Sequence, residues 1–121
     1  MPHLDLFMNY DVSSKVQVDG LLRKLHFTLS EQETIDLEQV KSRVFISDFE
    51  YIGDIEKTPQ NFVHCQVKLM PGRPDDLRKT ISTSLHDVIV ESLKEFQVKS
   101  YNTVEVIELD KEAYTASKDY E

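Results

Sequence analysis

The sequence has 121 residues and a formal net charge of −8, a length that suits one domain, residues 1–121, with one hydrophobic core. Ordinary apolar content with few Pro and Gly excludes collagen-like, disordered and disulfide-scaffold chains. The four arginines, Arg23, Arg43, Arg73 and Arg78, are scattered and no basic run exists, which excludes a nucleic-acid partner, because phosphate binding needs clustered cations.

Residues 2–10 alternate. Pro2, Leu4, Leu6, Met8 and Tyr10 fall on one side, with His3, Asp5, Phe7 and Asn9 on the other, which predicts a strand. Asp11-Val12-Ser13-Ser14 reads as a loop. Over 16–29 the period changes: Val18, Leu21, Leu22, Leu25 and Leu29 lie on one face of a predicted helix. Residues 30–38 read as irregular. Residues 41–52 are rich in β-branched and aromatic types and predict a second strand. After a turn over 53–61, residues 62–70 predict a third, with Val63, Cys65, Val67 and Leu69 on one face.

Pro71-Gly72-Arg73-Pro74-Asp75-Asp76 is the strongest punctuation in the chain. Pro74 suits a first helical position, where no N–H is needed, and Asp75 and Asp76 suit the positive end of a helix dipole. A long helix follows, with a buried stripe of Leu77, Ile81, Leu85, Val88, Ile89, Leu93 and Phe96. Residues 101–109 predict the last strand, and residues 110–121 form a polar C-terminal tail. The order is β-α-β-β-α-β: an α+β fold with one four-stranded mixed sheet, two helices on one face and parallel crossovers within each half. The other sheet face is left uncovered. Since Ile107 and Leu109 point to one side of the last strand and Val104 and Val106 to the other, that face is expected to be apolar and to need a partner subunit.

Cys65 is the single cysteine, so no intramolecular disulfide forms. The N-terminal residues lack a basic segment followed by an apolar one, and no apolar run nears the roughly 20 residues of a membrane span. A soluble cytoplasmic protein without a membrane partner is expected. His3, His26, His64 and His86 are not spaced as paired ligands, so no metal is expected. Ser82, His86 and Asp87 look like a hydrolase triad, but no nucleophile-elbow glycines flank Ser82 and the three fall off the buried stripe. Cys65 reads as a buried core thiol.

Met1-Pro2-His3, Ser42-Arg43-Val44, Phe62-Val63-His64 and Gly72-Arg73 occur in this order along the chain. Together they resemble the 5-carboxymethyl-2-hydroxymuconate Δ-isomerase family, within the tautomerase superfamily of 4-oxalocrotonate tautomerase and macrophage migration inhibitory factor. The resemblance implies a homotrimer whose sheets pack into a central barrel. It also implies a cofactor-free isomerase in which an N-terminal proline, here Pro2, is the general base. Arginines of the family hold substrate carboxylates. Arg73 matches such a position, Arg43 matches a neighbouring arginine, and Lys41 stands where the family has another arginine, keeping the charge but losing the bidentate fork. The implied substrate is an unsaturated enol dicarboxylate or tricarboxylate such as 5-carboxymethyl-2-hydroxymuconate, in the catabolism of homoprotocatechuate. The alternatives are a non-catalytic trimeric binding protein on the same fold and a tautomerase for another enol acid.

The chemistry fits Pro2 once Met1 is removed. The freed α-amino group is a secondary amine that titrates near pH 8 rather than near the value of lysine. Burial and nearby cations lower its pKa further, towards a base useful at neutral pH.

Overall fold

The alternation of residues 2–10 becomes β1 (His3–Asn9), the strand around which the fold is arranged. The computed structural model describes residues 2–120. Leu4, Leu6 and Met8 have no exposed surface. Strand β1 pairs in parallel with β2 (Lys41–Ser47) and antiparallel with β3 (Phe62–Leu69), and β3 pairs in parallel with β4 (Tyr101–Glu108), giving the sheet order β2-β1-β3-β4. The expected four-stranded mixed sheet is therefore present, with one parallel pair in each half of the chain.

Two long helices supply the cover. Helix α2 (Val18–Ser30) buries Leu21, Leu25 and Leu29, and helix α3 (Asp75–Glu95) buries Ile81, Leu85, Ile89 and Leu93. These stripes meet Val63, Cys65, Val67 and Leu69 of β3, which are also buried, in a single core. The thiol of Cys65 is pushed up to about 12, by burial first and then by the charge of Asp5, so it stays protonated and inert at neutral pH.

Three local readings change. Residues 11–14, expected as loop, fall within a short helix α1 (Tyr10–Lys15), which also takes Tyr10 from the expected first strand. Its polar sequence hides one anchor: Val12 is wholly buried, while Ser13 and Ser14 donate to the carbonyls of Tyr10 and Asp11. The second strand ends at Ser47 instead of continuing to 52. Gln60 clamps the following loop by accepting from the Ile52 N–H at 2.9 Å and donating to the Ile52 carbonyl at 2.8 Å. The aromatic residues Phe49 and Tyr51, which suggested a strand, are exposed on that loop. Pro74 is the N-cap of α3, in extended conformation, and not its first helical residue.

Helix α3 ends in a Schellman motif. The Val98 N–H donates to the Leu93 carbonyl at 2.9 Å and the Gln97 N–H to the Lys94 carbonyl at 3.0 Å. Gln97 takes the left-handed conformation, φ 56°, that glycine usually supplies. The motif turns the chain sharply into β4.

Candidate active site

The parallel pairing of β1 with β2 brings the start of both strands to one end of the sheet. Pro2 is buried there, and its carbonyl accepts from the Lys41 N–H at 3.0 Å. Because β3 runs the other way and Lys68 lies opposite His3, the turn that follows Leu69 returns to the same end and carries Arg73. The C-terminal tail leaves β4 there too: the Leu109 N–H donates to the Leu69 carbonyl at 2.8 Å. Pro2, Lys41, Arg73 and the tail therefore converge on one end of the sheet, although they are spread over the whole sequence. Met1, whose removal would free the proline nitrogen, lies outside the described residues.

Arg73 lies outside the long helix that follows it. It precedes the Pro74 cap, and its guanidinium ties two loops together. Nη1 donates to the Met70 carbonyl at 3.2 Å, and Nη2 donates to the Thr34 hydroxyl at 3.0 Å. The Nε–H is buried and has no acceptor among the described residues. Among the described residues no carboxylate pairs with Arg73 within salt-bridge distance. A guanidinium held by neutral oxygens, with a spare donor, retains its full charge for an anion.

Arg43 is engaged differently. Its Nη1 meets the Asp5 carboxylate at 2.6 Å. The other Asp5 oxygen takes the Lys68 ammonium at 3.0 Å. Asp5 is 5% exposed, so one buried carboxylate joins two cations from the strands on either side of β1. Burial by itself pushes the Asp5 carboxyl up. The hydrogen bonds from Lys68 and Arg43, with their charges, outweigh it and hold the group below its ordinary value.

This network lies on the sheet face that the helices leave open, and it corrects the expectation of an apolar face. Register puts His3, Asp5 and Phe7 beside Lys41, Arg43 and Phe45 on one side and beside Lys68, Gln66 and His64 on the other. Farther across, the His64 ring bonds the Thr103 hydroxyl at 2.6 Å and meets Glu105 at 3.4 Å, and Gln66 donates to Glu105 at 3.0 Å. The apolar exceptions among the described residues of this face are the Phe7–Phe45 stack, with ring centroids 4.9 Å apart, Ile107, and the Phe62–Tyr101 pair at its far end. Exposed apolar surface gathers instead on the 48–61 loop and the start of β4, at Phe49, Tyr51, Ile55 and Tyr101. Beside it lies a cavity of about 460 Å³ lined by Ile52, Pro59, Lys99 and Tyr101.

His3 links the network to the tail. Its Nδ1 lies 3.5 Å from Arg43 Nη2, and its Nε2 lies 2.7 Å from the Tyr114 hydroxyl. Burial first, then the charges of Arg43 and Lys41, lower the pKa of this imidazole. Beyond Tyr114 the tail and the segment before β2 enclose a cavity of about 340 Å³ lined by Glu38, Gln39, Lys41, Ala116, Ser117, Lys118 and Tyr120. The Lys41 ammonium also reaches the Gln39 carbonyl at 3.3 Å.

Sequence reasoning singled out Pro2, Lys41, Arg43 and Arg73 and missed Asp5, Lys68, His3 and Tyr114. The first two had a readable signal, an acid and a base on polar faces of alternating strands, but their register could not be read. Tyr114 had none, since nothing local shows where a tail folds back. The Ser82-His86-Asp87 set does not assemble as a triad: the Ser82 hydroxyl donates to the Lys79 carbonyl, and His86 meets only its neighbour Asp87.

A family model, 5-carboxymethyl-2-hydroxymuconate isomerase, matches residues 2–118. The chain belongs to the 5-carboxymethyl-2-hydroxymuconate isomerase family. It is accordingly an isomerase of the tautomerase type. No protein of curated function matches the sequence. Among solved structures, a 5-carboxymethyl-2-hydroxymuconate isomerase from Deinococcus radiodurans R1 superposes with a TM-score of 0.82 at 21% identity, over 98% of this chain and 90% of that one. A second 5-carboxymethyl-2-hydroxymuconate delta-isomerase gives 0.81 at 13% identity, over 98% and 88%. A fused 4-OT symmetric trimer gives 0.73 at 15%, over 95% and 91%. At these identities the superpositions speak for the fold, and the family match speaks for the isomerase class. No helix among the described residues is long and apolar enough to cross a membrane.

Proposed function

We propose that the protein catalyses a cofactor-free proton shift in an unsaturated enol dicarboxylate or tricarboxylate of the 5-carboxymethyl-2-hydroxymuconate type, with the Pro2 nitrogen as the base. The observation that carries this reading is the convergence of a buried Pro2 with Lys41 and Arg73 at one end of the sheet. Loss of Met1 leaves a secondary amine at a site where burial and cations favour its neutral form. That amine takes the hydroxyl proton of the dienol. As the ketone forms, the electron pair moves along the conjugated chain, and the protonated amine returns a proton to carbon. Arg73 holds a substrate carboxylate, exchanging the neutral Thr34 hydroxyl for a charged acceptor, and Lys41 adds charge at the head of β2. Arg43, with Asp5 already at 2.6 Å, shapes the site by ordering His3.

The same reading makes the protein a cytoplasmic homotrimer that serves homoprotocatechuate breakdown. The open face is polar, so the apolar surface at Phe49, Tyr51, Ile55 and Tyr101 is the region that gains most from subunit contact. A tautomerase acting on an enol acid with fewer carboxylates is the second reading. It is favoured by the Arg43–Asp5 pair, which withdraws one cation from the substrate.

The test compares processed protein with a form that retains Met1, following ketonisation of a dienol dicarboxylate by ultraviolet absorbance. In the retained form Pro2 is an amide whose lone pair is delocalised and cannot accept a proton at neutral pH. Turnover should fall roughly 10²–10⁴-fold, the usual contribution of a positioned base. Equal rates from the two forms would remove Pro2 from the chemistry.

A further inference from the structure

We propose that Tyr114 is a substrate-contacting residue: its hydroxyl, oriented by His3, donates its hydrogen to an oxygen of the acid bound at the Pro2 end of the sheet. This rests on the reading above for the nature of the ligand, and on the following geometry for the residue.

The direction of the hydrogen bonds can be worked out from one end. A guanidinium only donates, so the His3 Nδ1 that faces Arg43 Nη2 at 3.5 Å is an acceptor. The imidazole, neutral at pH 7, then carries its hydrogen on Nε2. That Nε2–H points at the Tyr114 oxygen, 2.7 Å away, and donates to it. The Tyr114 hydroxyl therefore accepts from His3, and its own hydrogen is directed elsewhere. Among the described residues the hydroxyl makes no second hydrogen bond. The Asp5–Arg43 pair fixes the guanidinium at the start of this chain at 2.6 Å, so the whole series is anchored in a buried carboxylate. The rings of His3 and Tyr114 also meet edge to face, with centroids 5.9 Å apart and planes at 70°, which holds the hydroxyl oxygen in place.

The place and the charge suit an acid. His3 directly follows Pro2 and lies in register with Lys41 on one side and Lys68 on the other. Three cationic side chains, Lys41, Arg43 and Lys68, stand around it, the last two sharing the carboxylate of Asp5. An oriented hydroxyl with a spare hydrogen at the edge of a positive field fits an oxygen that carries, or develops, negative charge. The tail that delivers Tyr114 continues into the wall of the cavity beside Lys41.

The experiment uses full-length processed protein and three variants, Tyr114→Phe, His3→Gln and His3→Asn. Two quantities are measured for each: the kinetics of a dienol dicarboxylate and the calorimetric affinity for muconate, an unsaturated diacid that cannot ketonise. Limited proteolysis reports whether the tail stays docked. Tyr114→Phe keeps the ring and its edge contact, so the tail should remain protected while KM and the muconate Kd rise about tenfold, as expected for losing a hydrogen bond to a charged group. His3→Gln places an amide N–H where Nε2 was and should stay close to wild type. His3→Asn offers no donor at that distance and should resemble Tyr114→Phe. Unchanged kinetics and affinity in Tyr114→Phe would overturn the proposal, and so would affinity that follows only the proteolysis of the tail. Wild-type protein that neither turns over the dienol nor binds muconate would overturn it as well. The Pro2 reading fails separately: if protein retaining Met1 is as active as processed protein but Tyr114→Phe still weakens muconate tenfold, Tyr114 stands and the base does not.

Discussion

The two faces of the sheet are made from the same four strands and follow opposite rules. On the helix side, Leu4, Leu6, Met8, Val63, Cys65 and Val67 have no exposed surface and touch one another and the two long helices. On the open side the alternate positions of the same strands hold Asp5, Arg43, Lys68, His3, His64 and Glu105, joined by ion pairs and hydrogen bonds. One face is held by non-directional burial, in which any well-fitting apolar side chain serves. The other is held by directional contacts, each of which needs a named partner at a set distance. A face of the second kind can carry chemistry, and the proposed site lies along its edge.

Deleting apolar volume on the covered side should have the largest effect on stability. Leu6→Ala removes a fully buried side chain at the centre of β1, and a cost of about 2–5 kcal/mol is expected. That is a large share of the roughly 5–15 kcal/mol of a typical domain. Urea denaturation of the variant measures it directly. A loss below about 1 kcal/mol would mean that the covered face is not the main support of the fold.

The difference between the faces also explains what could be read from the sequence. Period-2 and period-3.6 patterns are local, so the four strands, the two long helices and nearly all of the core followed from the spacing of Leu, Ile and Val. The open face did not follow. Its expected apolar character rested on Ile107 and Leu109, whereas the face is set by Asp5, Arg43 and Lys68, whose meeting depends on strand register between residues 38 and 63 positions apart. Pro2, Lys41, Arg43 and Arg73 were legible only through their likeness to a family. The aromatic residues at 49 and 51 misled because exposed aromatics on a loop carry the same local signal as a strand.

A directional face should be sensitive to charge and pH where the covered face is not. Asp5→Asn keeps the shape and removes the charge, leaving Arg43 and Lys68 side by side. Both cations are more than a third exposed or close to it, so solvent screens part of the effect and about 1–2 kcal/mol is expected. The sign with pH follows from the directions of the shifts. Asp5 is held below its ordinary value, so its contribution is present above about pH 4 and is lost as pH falls further. His3 and His26 are also lowered, each by burial first. The unfolded chain then takes up their protons more readily, and stability declines as pH drops below about 6.5. Wild-type stability should be level near pH 7 to 8, fall gently below 6.5 and fall again below 4. The last fall should be absent in Asp5→Asn, and its persistence there would assign it to other carboxylates.

The smallest expected effect tests whether the open face is solvated or covered. Phe45 stacks on Phe7 at 4.9 Å and remains 46% exposed. The stack is an apolar pair set among the polar residues at the centre of this face. If it contributes only as a pair within one chain, Phe45→Ala should cost roughly 0.5–1.5 kcal/mol, and the cost should not change with protein concentration. A subunit interface behaves differently, because dissociation couples stability to concentration. If trimer formation buries this stack deeply, Phe45→Ala should destabilise by several times more, and the deficit should grow on dilution. The same dilution series on Tyr101→Ala supplies the contrast. Tyr101 belongs to the apolar surface assigned to subunit contact, so its loss should be the concentration-dependent one. Reversal of the two outcomes would move the interface from the loop end of the sheet to its polar face.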